Sequence, residues 1–259
     1  MSPPSPSRRS HGWTEQRHGR TVTPAAARDD RMGRGVRQTP SVRPGWRTFG
    51  VLRPRAVRRY VRLRFEGSIA GFGTSCGTRV VLGHWVRSPF GPFSDVMLER
   101  PDGKRLLLAP TREVADFIAG TYRFEEVRVA PVVVDVVGHD WTIGAPELDV
   151  RFTVGRRGPL GLLLRAVPSR LATRPLWCAL TDVPARLLPG VRACGRTGGG
   201  RREWYGAQDL RPITAATAVF EGRDLGLLRP VDPAVRFGFG STPRSPAIVR
   251  IVTTVQMNV

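Results

Sequence analysis

The residues most suited to chemistry lie on one alternating run, Phe93–Arg100. Phe93, Asp95, Met97 and Glu99 fall on one side of it, opposite Ser94, Val96, Leu98 and Arg100, the period-two spacing of a strand. Strand rise puts Asp95 and Glu99 about 13 Å apart, too far to act on one atom by themselves. If their side lines an interior, each can polarise a ligand or hold an arginine. If it faces water, Arg62 and Arg64 pair with them across the sheet. Phe93 and Met97 on the same side favour the first arrangement. His84 exchanges protons near neutral pH and completes the candidate catalytic set of Glu99, Asp95 and His84. Arg64, Met97, Trp204 and Tyr205 are the candidate ligand contacts. Trp204 and Tyr205 follow the glycine-rich run 198–202, an order that suits a lid carrying stacking rings over a pocket. The alternative is that both rings pack in the core.

Other chemistries lack their patterns. His84 and His139 lie in the near-repeats Gly83-His84-Trp85 and Gly138-His139-Asp140-Trp141, which share no longer framework. With Asp95, Glu99 or Asp140 they have no metal-ligand spacing, so neither a metal nor a cofactor is expected. No serine occupies a nucleophile elbow. Gly71, Gly73 and Gly77 lack the spacing of a nucleotide loop. The three cysteines, Cys76, Cys178 and Cys194, are too few and too scattered for a disulfide framework, and point to a reducing compartment. Cys178, in the apolar run Leu176–Leu180, reads as an inert buried thiol. No apolar stretch has signal-peptide length before residue 48, and none is long enough to span a bilayer. The cytoplasm is the expected location.

The chain has 41 Lys plus Arg against 21 Asp plus Glu, a formal charge of +20, and Lys104 is its only lysine. Arg, Ala, Gly and Pro are all abundant, as GC-rich coding would make them. Residues 1–60 hold 14 arginines against Glu15, Asp29 and Asp30. Such a segment attracts polyanions without specificity. Zinc-finger spacing, interleaved aromatics and a recognition helix are all missing, so nucleic acid is not the expected partner. A small anionic ligand is. Residues 1–50 read as a disordered Arg/Pro-rich tail, with translation starting near Val51 or Val61 as the other reading. Residues 51–259 read as a single β-rich domain.

Within that domain, Tyr60–Ile69 alternates as a strand, and a glycine-rich connection follows it. Thr78–Val86, Phe93–Arg100 and Arg105–Ala109 form an antiparallel meander, the last two joined by an Asp102-Gly103 hairpin turn. Thr111–Ile118 is a short helix capped by Thr111 and ended near Gly120. Val127–Val137 is a valine-rich strand with Pro131 at an edge or bulge. Leu148–Val154, Ile213–Phe220 and Ala247–Val255 are further strands, and Glu203–Gln208 carries Trp204 and Tyr205. Residues 160–191 hold short helices, one of them Val183–Leu188 with Asp182 as its cap. Residues 196–202 read as a mobile loop. The expected fold class is α+β, mostly β: an antiparallel sheet curled into a barrel-like or cone-like core with two or three short helices.

The stretch Phe90-Gly91-Pro92-Phe93-Ser94-Asp95-Val96-Met97-Leu98-Glu99 resembles a segment of acetoacetate-decarboxylase-like proteins, in which a Gly-Pro-aromatic turn leads into a strand with an acidic residue. The resemblance implies a β barrel with an inner polar cavity and maps the acidic residue to Glu99 or, less directly, Asp95. The family's decarboxylation uses a Schiff-base lysine. Lys104 follows a hairpin turn, a wet place ill suited to a desolvated amine. The function expected is binding of a small carboxylate or keto compound in a β-barrel-like pocket, or catalysis on it without Schiff-base chemistry. The alternative is a non-catalytic structural or protein-interaction domain.

Overall fold

The structure is a computed structural model that describes residues 60–168, 171, 192–238, 240 and 242–258. The expected tail at 1–50, the helix at 183–188 and Cys178 lie outside the described residues. The compact unit is Arg55–Val259.

Among the described residues, thirteen strands and two α-helices follow one another as β1 (Tyr60–Thr74), β2 (Arg79–Arg87), β3 (Phe93–Glu99), β4 (Arg105–Ala109), α1 (Arg112–Ala119), β5 (Glu126–Val129), β6 (Val133–Val137), β7 (Asp140–Ala145), β8 (Leu148–Val154), α2 (Pro159–Ala166), β9 (Cys194–Arg196), β10 (Arg202–Phe220), β11 (Arg223–Asp224), β12 (Leu228–Arg229) and β13 (Ala247–Asn258). The main sheet runs β5-β4-β3-β2-β1-β13-β10-β8-β7-β6. All its pairs are antiparallel except β4 with β5, which the α1 crossover makes parallel. Its two end strands are consecutive in sequence. Only residues 130–132 separate them, so their near ends lie within about 14 Å of each other. The sheet must curl. It is mostly β with two helices, as expected, and remains open between β5 and β6.

Alternation decides what each face buries. Val80 and Leu82 of β2, Val96 and Leu98 of β3, and Leu106 and Leu108 of β4 point into the curl, where they meet Phe72, Val150 and Phe152. That interior is apolar and packed. The polar inner cavity implied by the family resemblance is therefore absent from it among the described residues. The opposite face of β1–β4 is covered too. Leu107 and Ala109 pack under Val114, Ala115 and Ile118 of α1. Val81 packs under Val231, Val235 and Phe237 of the segment before β13. With both sides covered, β4 is a continuous apolar run.

Thr111 caps α1 by accepting from the Val114 amide at 3.2 Å, and Gly120 ends it. Four element expectations change. Val127–Val137 is two strands, β5 and β6, because Pro131 cannot donate to a ladder. The glycine-rich connection is strand: β1 continues through Gly71 and Gly73, where a Cβ would meet Thr242 at 2.5 Å and the Pro230 carbonyl at 2.1 Å. Residues 202–220 form one strand, β10, with an irregularity between Ala207 and Asp209. The expected loop at 196–202 is a tight link of β9 to β10, with Arg196 opposite Arg202.

Glu99 is fully buried. Its Oε1 lies 2.9 Å from Arg79 Nη2 and 3.0 Å from Arg236 Nε, and its Oε2 accepts from the Arg236 amide at 2.8 Å. Glu99 thus holds arginines from a buried side, and the alternative pairing of a water-facing side with Arg62 and Arg64 does not occur; Arg64 pairs with Glu66. Removing one member of a buried ion pair costs about 3–5 kcal/mol, while exposed pairs are worth roughly 1 kcal/mol or less. Glu99→Ala should therefore lower unfolding free energy several-fold more than Asp116→Ala, which loses the exposed Arg112 pair. Urea titration of both variants measures this, and equal losses would refute it.

Candidate functional site

On the covered outer face, a cavity of about 60 Å³ opens between the sheet and α1. One ordered water needs roughly 10–15 Å³ of such space, so a molecule of a few heavy atoms fits. The walls are Phe65, Trp85, Phe93 and Phe117, with Asp95, Glu203, Tyr122, Tyr205 and Thr253 as the polar lining. The Phe65 ring lies 5.2 Å from Phe117 and 5.7 Å from Trp85, centroid to centroid.

Local strand geometry places Asp95. Gly83 is its cross-strand partner. A Cβ at position 83 would lie 2.5 Å from Asp95 Oδ1 and 2.8 Å from Trp85 Nε1. The missing side chain lets the carboxyl lie across β2, where Trp85 Nε1 donates to Oδ1 at 3.0 Å. Oδ2 is buried without a hydrogen-bond partner, and so is Thr253 Oγ1. Burial raises the Asp95 pKa to about 7, outweighing the Trp85 hydrogen bond that lowers it.

A second acid faces the same space. Glu203 and Tyr205 are two apart on β10 and so share a face. Tyr122 reaches them from the turn after α1. The Tyr122 and Tyr205 hydroxyl oxygens each lie at hydrogen-bond distance from Glu203 Oε2, 2.9 Å, and the two phenol oxygens are 2.8 Å apart. Burial pushes Glu203 to about 7, against the two tyrosine hydrogen bonds and the Arg201 charge. Burial, then the Glu203 charge, lifts both tyrosines well above their ordinary values, so they stay protonated. Arg201 ties the β9–β10 link to α1. Its Nη1 donates to the Phe117 carbonyl at 2.8 Å and to Thr121 Oγ1, and its guanidinium lies 4.8 Å from the Phe117 ring centre.

The cavity brings together Asp95, Met97 and Tyr205 from the residues singled out in the sequence. The other four stand apart from it. Glu99 shares the Asp95 side of β3, but at the end filled by arginines. His84 points into the curl, its Nδ1 2.9 Å from Ser94 Oγ and its ring edge-on to Trp141; burial lowers its pKa. Arg64 is exposed. Trp204 lies on the other side of β10 from Tyr205, with Arg62 and Arg202 against its ring. Glu203, Tyr122 and Trp85 were not anticipated. The i, i+2 pairs Glu203/Tyr205 and Gly83/Trp85 were the available signal. Nothing in the sequence foretells that Tyr122 joins them.

Lys104 is 72% exposed beside Asp102 on the hairpin, so no lysine amine reaches the cavity. Among the described residues, no three His, Cys, Asp or Glu side chains are grouped to hold a metal, and no helix is long and apolar enough to cross a membrane.

No protein-family model and no curated protein sequence matches the chain. In three dimensions it is similar to an acetoacetate decarboxylase from Legionella pneumophila, with a TM-score of 0.37 and 9% identity over 81% of this chain and 91% of that one. It is also similar to a structure assigned as AttH from Nitrosomonas europaea, with a TM-score of 0.25 and 11% identity over 83% and 58%. The likeness is weak in both cases, and the site stands on its own residues.

Proposed function

We propose that the cavity binds a small, largely apolar molecule carrying a keto group, without covalent attachment. The observation that supports this reading is the pair of buried, unpartnered polar atoms, Asp95 Oδ2 and Thr253 Oγ1, in an aromatic-walled space. A buried polar group without a partner costs roughly 1–3 kcal/mol. A ligand that accepts from Thr253 and from protonated Asp95 removes that cost, while the rings cover its carbon skeleton. Of the two ligand classes expected from the sequence, the lining favours the ketone. A carboxylate would bring a third acid beside Asp95 and Glu203, with no lysine or arginine in the lining.

Amide NMR titration with 2-butanone and with butyrate tests the reading. Butanone should shift resonances around the cavity and bind more tightly than butyrate at neutral pH. Gly83→Ala, which displaces the Asp95 carboxyl, and Thr253→Val, which removes one hydrogen bond, should each weaken butanone binding about tenfold. Shifts scattered over the surface, or unchanged in both variants, would argue against the site.

The state of Asp95 has its own signature. Between about pH 4 and 7 the unfolded chain has released this proton and the folded chain keeps it. Stability therefore falls as pH rises through that window and levels off above it. Asp95→Asn should remove this contribution, on the order of a few kcal/mol. Its unfolding midpoint in urea should rise relative to the parent between those pH values. Parallel pH profiles would mean that Asp95 is not a buried acid.

A further inference from the structure

The oxygens of the Glu203 group leave a proton unaccounted for. Glu203 Oε2, Tyr122 Oη and Tyr205 Oη form a triangle with sides of 2.9, 2.9 and 2.8 Å. All three sides are hydrogen-bond distances, but the two phenols supply only two protons. If both donate to a carboxylate, the phenol oxygens face each other at 2.8 Å with no hydrogen between them. One more proton, on Oε2, lets each oxygen donate once and accept once around a closed ring. Such rings strengthen their own bonds cooperatively. The surroundings agree. Phe117 and Ile118 of α1 and Val255 of β13 bring no charge, and Arg201 is the cation that acts on Glu203.

We infer that Glu203 is held as a neutral carboxylic acid in a three-hydroxyl ring with Tyr122 and Tyr205, and that this ring protonates the oxygen of a bound ketone while Asp95 removes a proton from its α-carbon. This rests on the cavity being a ketone site. Asp95, a donor to the ketone while protonated, takes the opposite role once it has released its proton above about pH 7, since one Trp85 N–H meets Oδ1 and Oδ2 is open. The two carboxyls thus divide into acid and base by environment. As Asp95 takes the α-hydrogen, the C–H electron pair forms the C=C bond. The carbonyl π pair moves to oxygen and collects a proton from a hydroxyl that turns out of the ring, giving the enol and leaving Glu203 as the carboxylate that accepts from both phenols. Reversal returns both protons, so the reaction class is enolisation, with no redox partner and no leaving group.

The test has two readouts on the full chain. Infrared difference spectroscopy of the parent against Glu203→Gln should show the carbonyl band of a protonated carboxylic acid in the parent only. In heavy water, the parent should speed deuterium exchange at the α-carbons of 2-butanone, read by proton NMR. Asp95→Asn should cut that rate on the order of a hundredfold. Tyr205→Phe, which keeps the carboxyl and opens the ring, should cut it about tenfold. Absence of the protonated band overturns the ring. Butanone bound without enhanced exchange overturns the enolisation and leaves the binding site standing. No butanone binding overturns both.

Discussion

Glu99 holds the cover on the molecule. It lies at the end of the face that carries Asp95, and its carboxylate binds Arg79 of the sheet and both the amide and the guanidinium of Arg236. Arg236 belongs to the segment whose Val231, Val235 and Phe237 press on Val81. Its carbonyl accepts from Arg105, which also grips Glu125 at the end of the turn after α1. One buried anion thereby joins the sheet to the 231–237 segment and, through Arg236 and Arg105, to the turn after α1, whose Tyr122 lines the cavity. Without a roof, Asp95 and Glu203 would be solvated carboxylates of ordinary acidity. Their raised pKa values are a result of that cover, because burial is the largest cause of each.

The fold separates two jobs that small barrels often combine. Their interior either packs side chains or holds a ligand. Here the interior of the curl is packed with aliphatic and phenylalanine side chains, and the cavity lies on the outside, under a helix. Alternation along β3 makes the separation sharp. Val96 and Leu98 belong to the packed interior, while Asp95 and Met97 belong to the cavity. Acid chemistry can then change on one face without disturbing the packing that stabilises the other.

Much of the fold was legible because its strands alternate and its turns are chemically marked. The β2–β3–β4 meander, the Asp102-Gly103 hairpin and the Thr111 cap all depend on neighbours in sequence. The misreadings came from distant contacts. Gly71 and Gly73 look like a loop until Thr242 and Pro230 crowd them. Asp95 and Glu99 look equivalent because they share a side of one strand. They differ only because Arg79 and Arg236 converge on one of them and Trp85 on the other. Tyr205 was legible as an aromatic at a site and Trp204 was not separable from it, since which of two adjacent rings faces the cavity depends on strand register. The Tyr122–Glu203 contact joins residues 81 apart, and no local pattern encodes it.

The short join between β5 and β6 has a consequence for the molecule in a crowded solution. An open sheet presents two edges of unpaired backbone groups, each a template on which another chain can add a strand. Here the edges have four and five residues, and residues 130–132 keep their near ends together. Arg128 on β5 also pairs with Glu147 and Glu221 beyond the gap, placing charge where an incoming strand would dock. The curl that forms the core thus also guards a thirteen-stranded sheet against edge-to-edge aggregation.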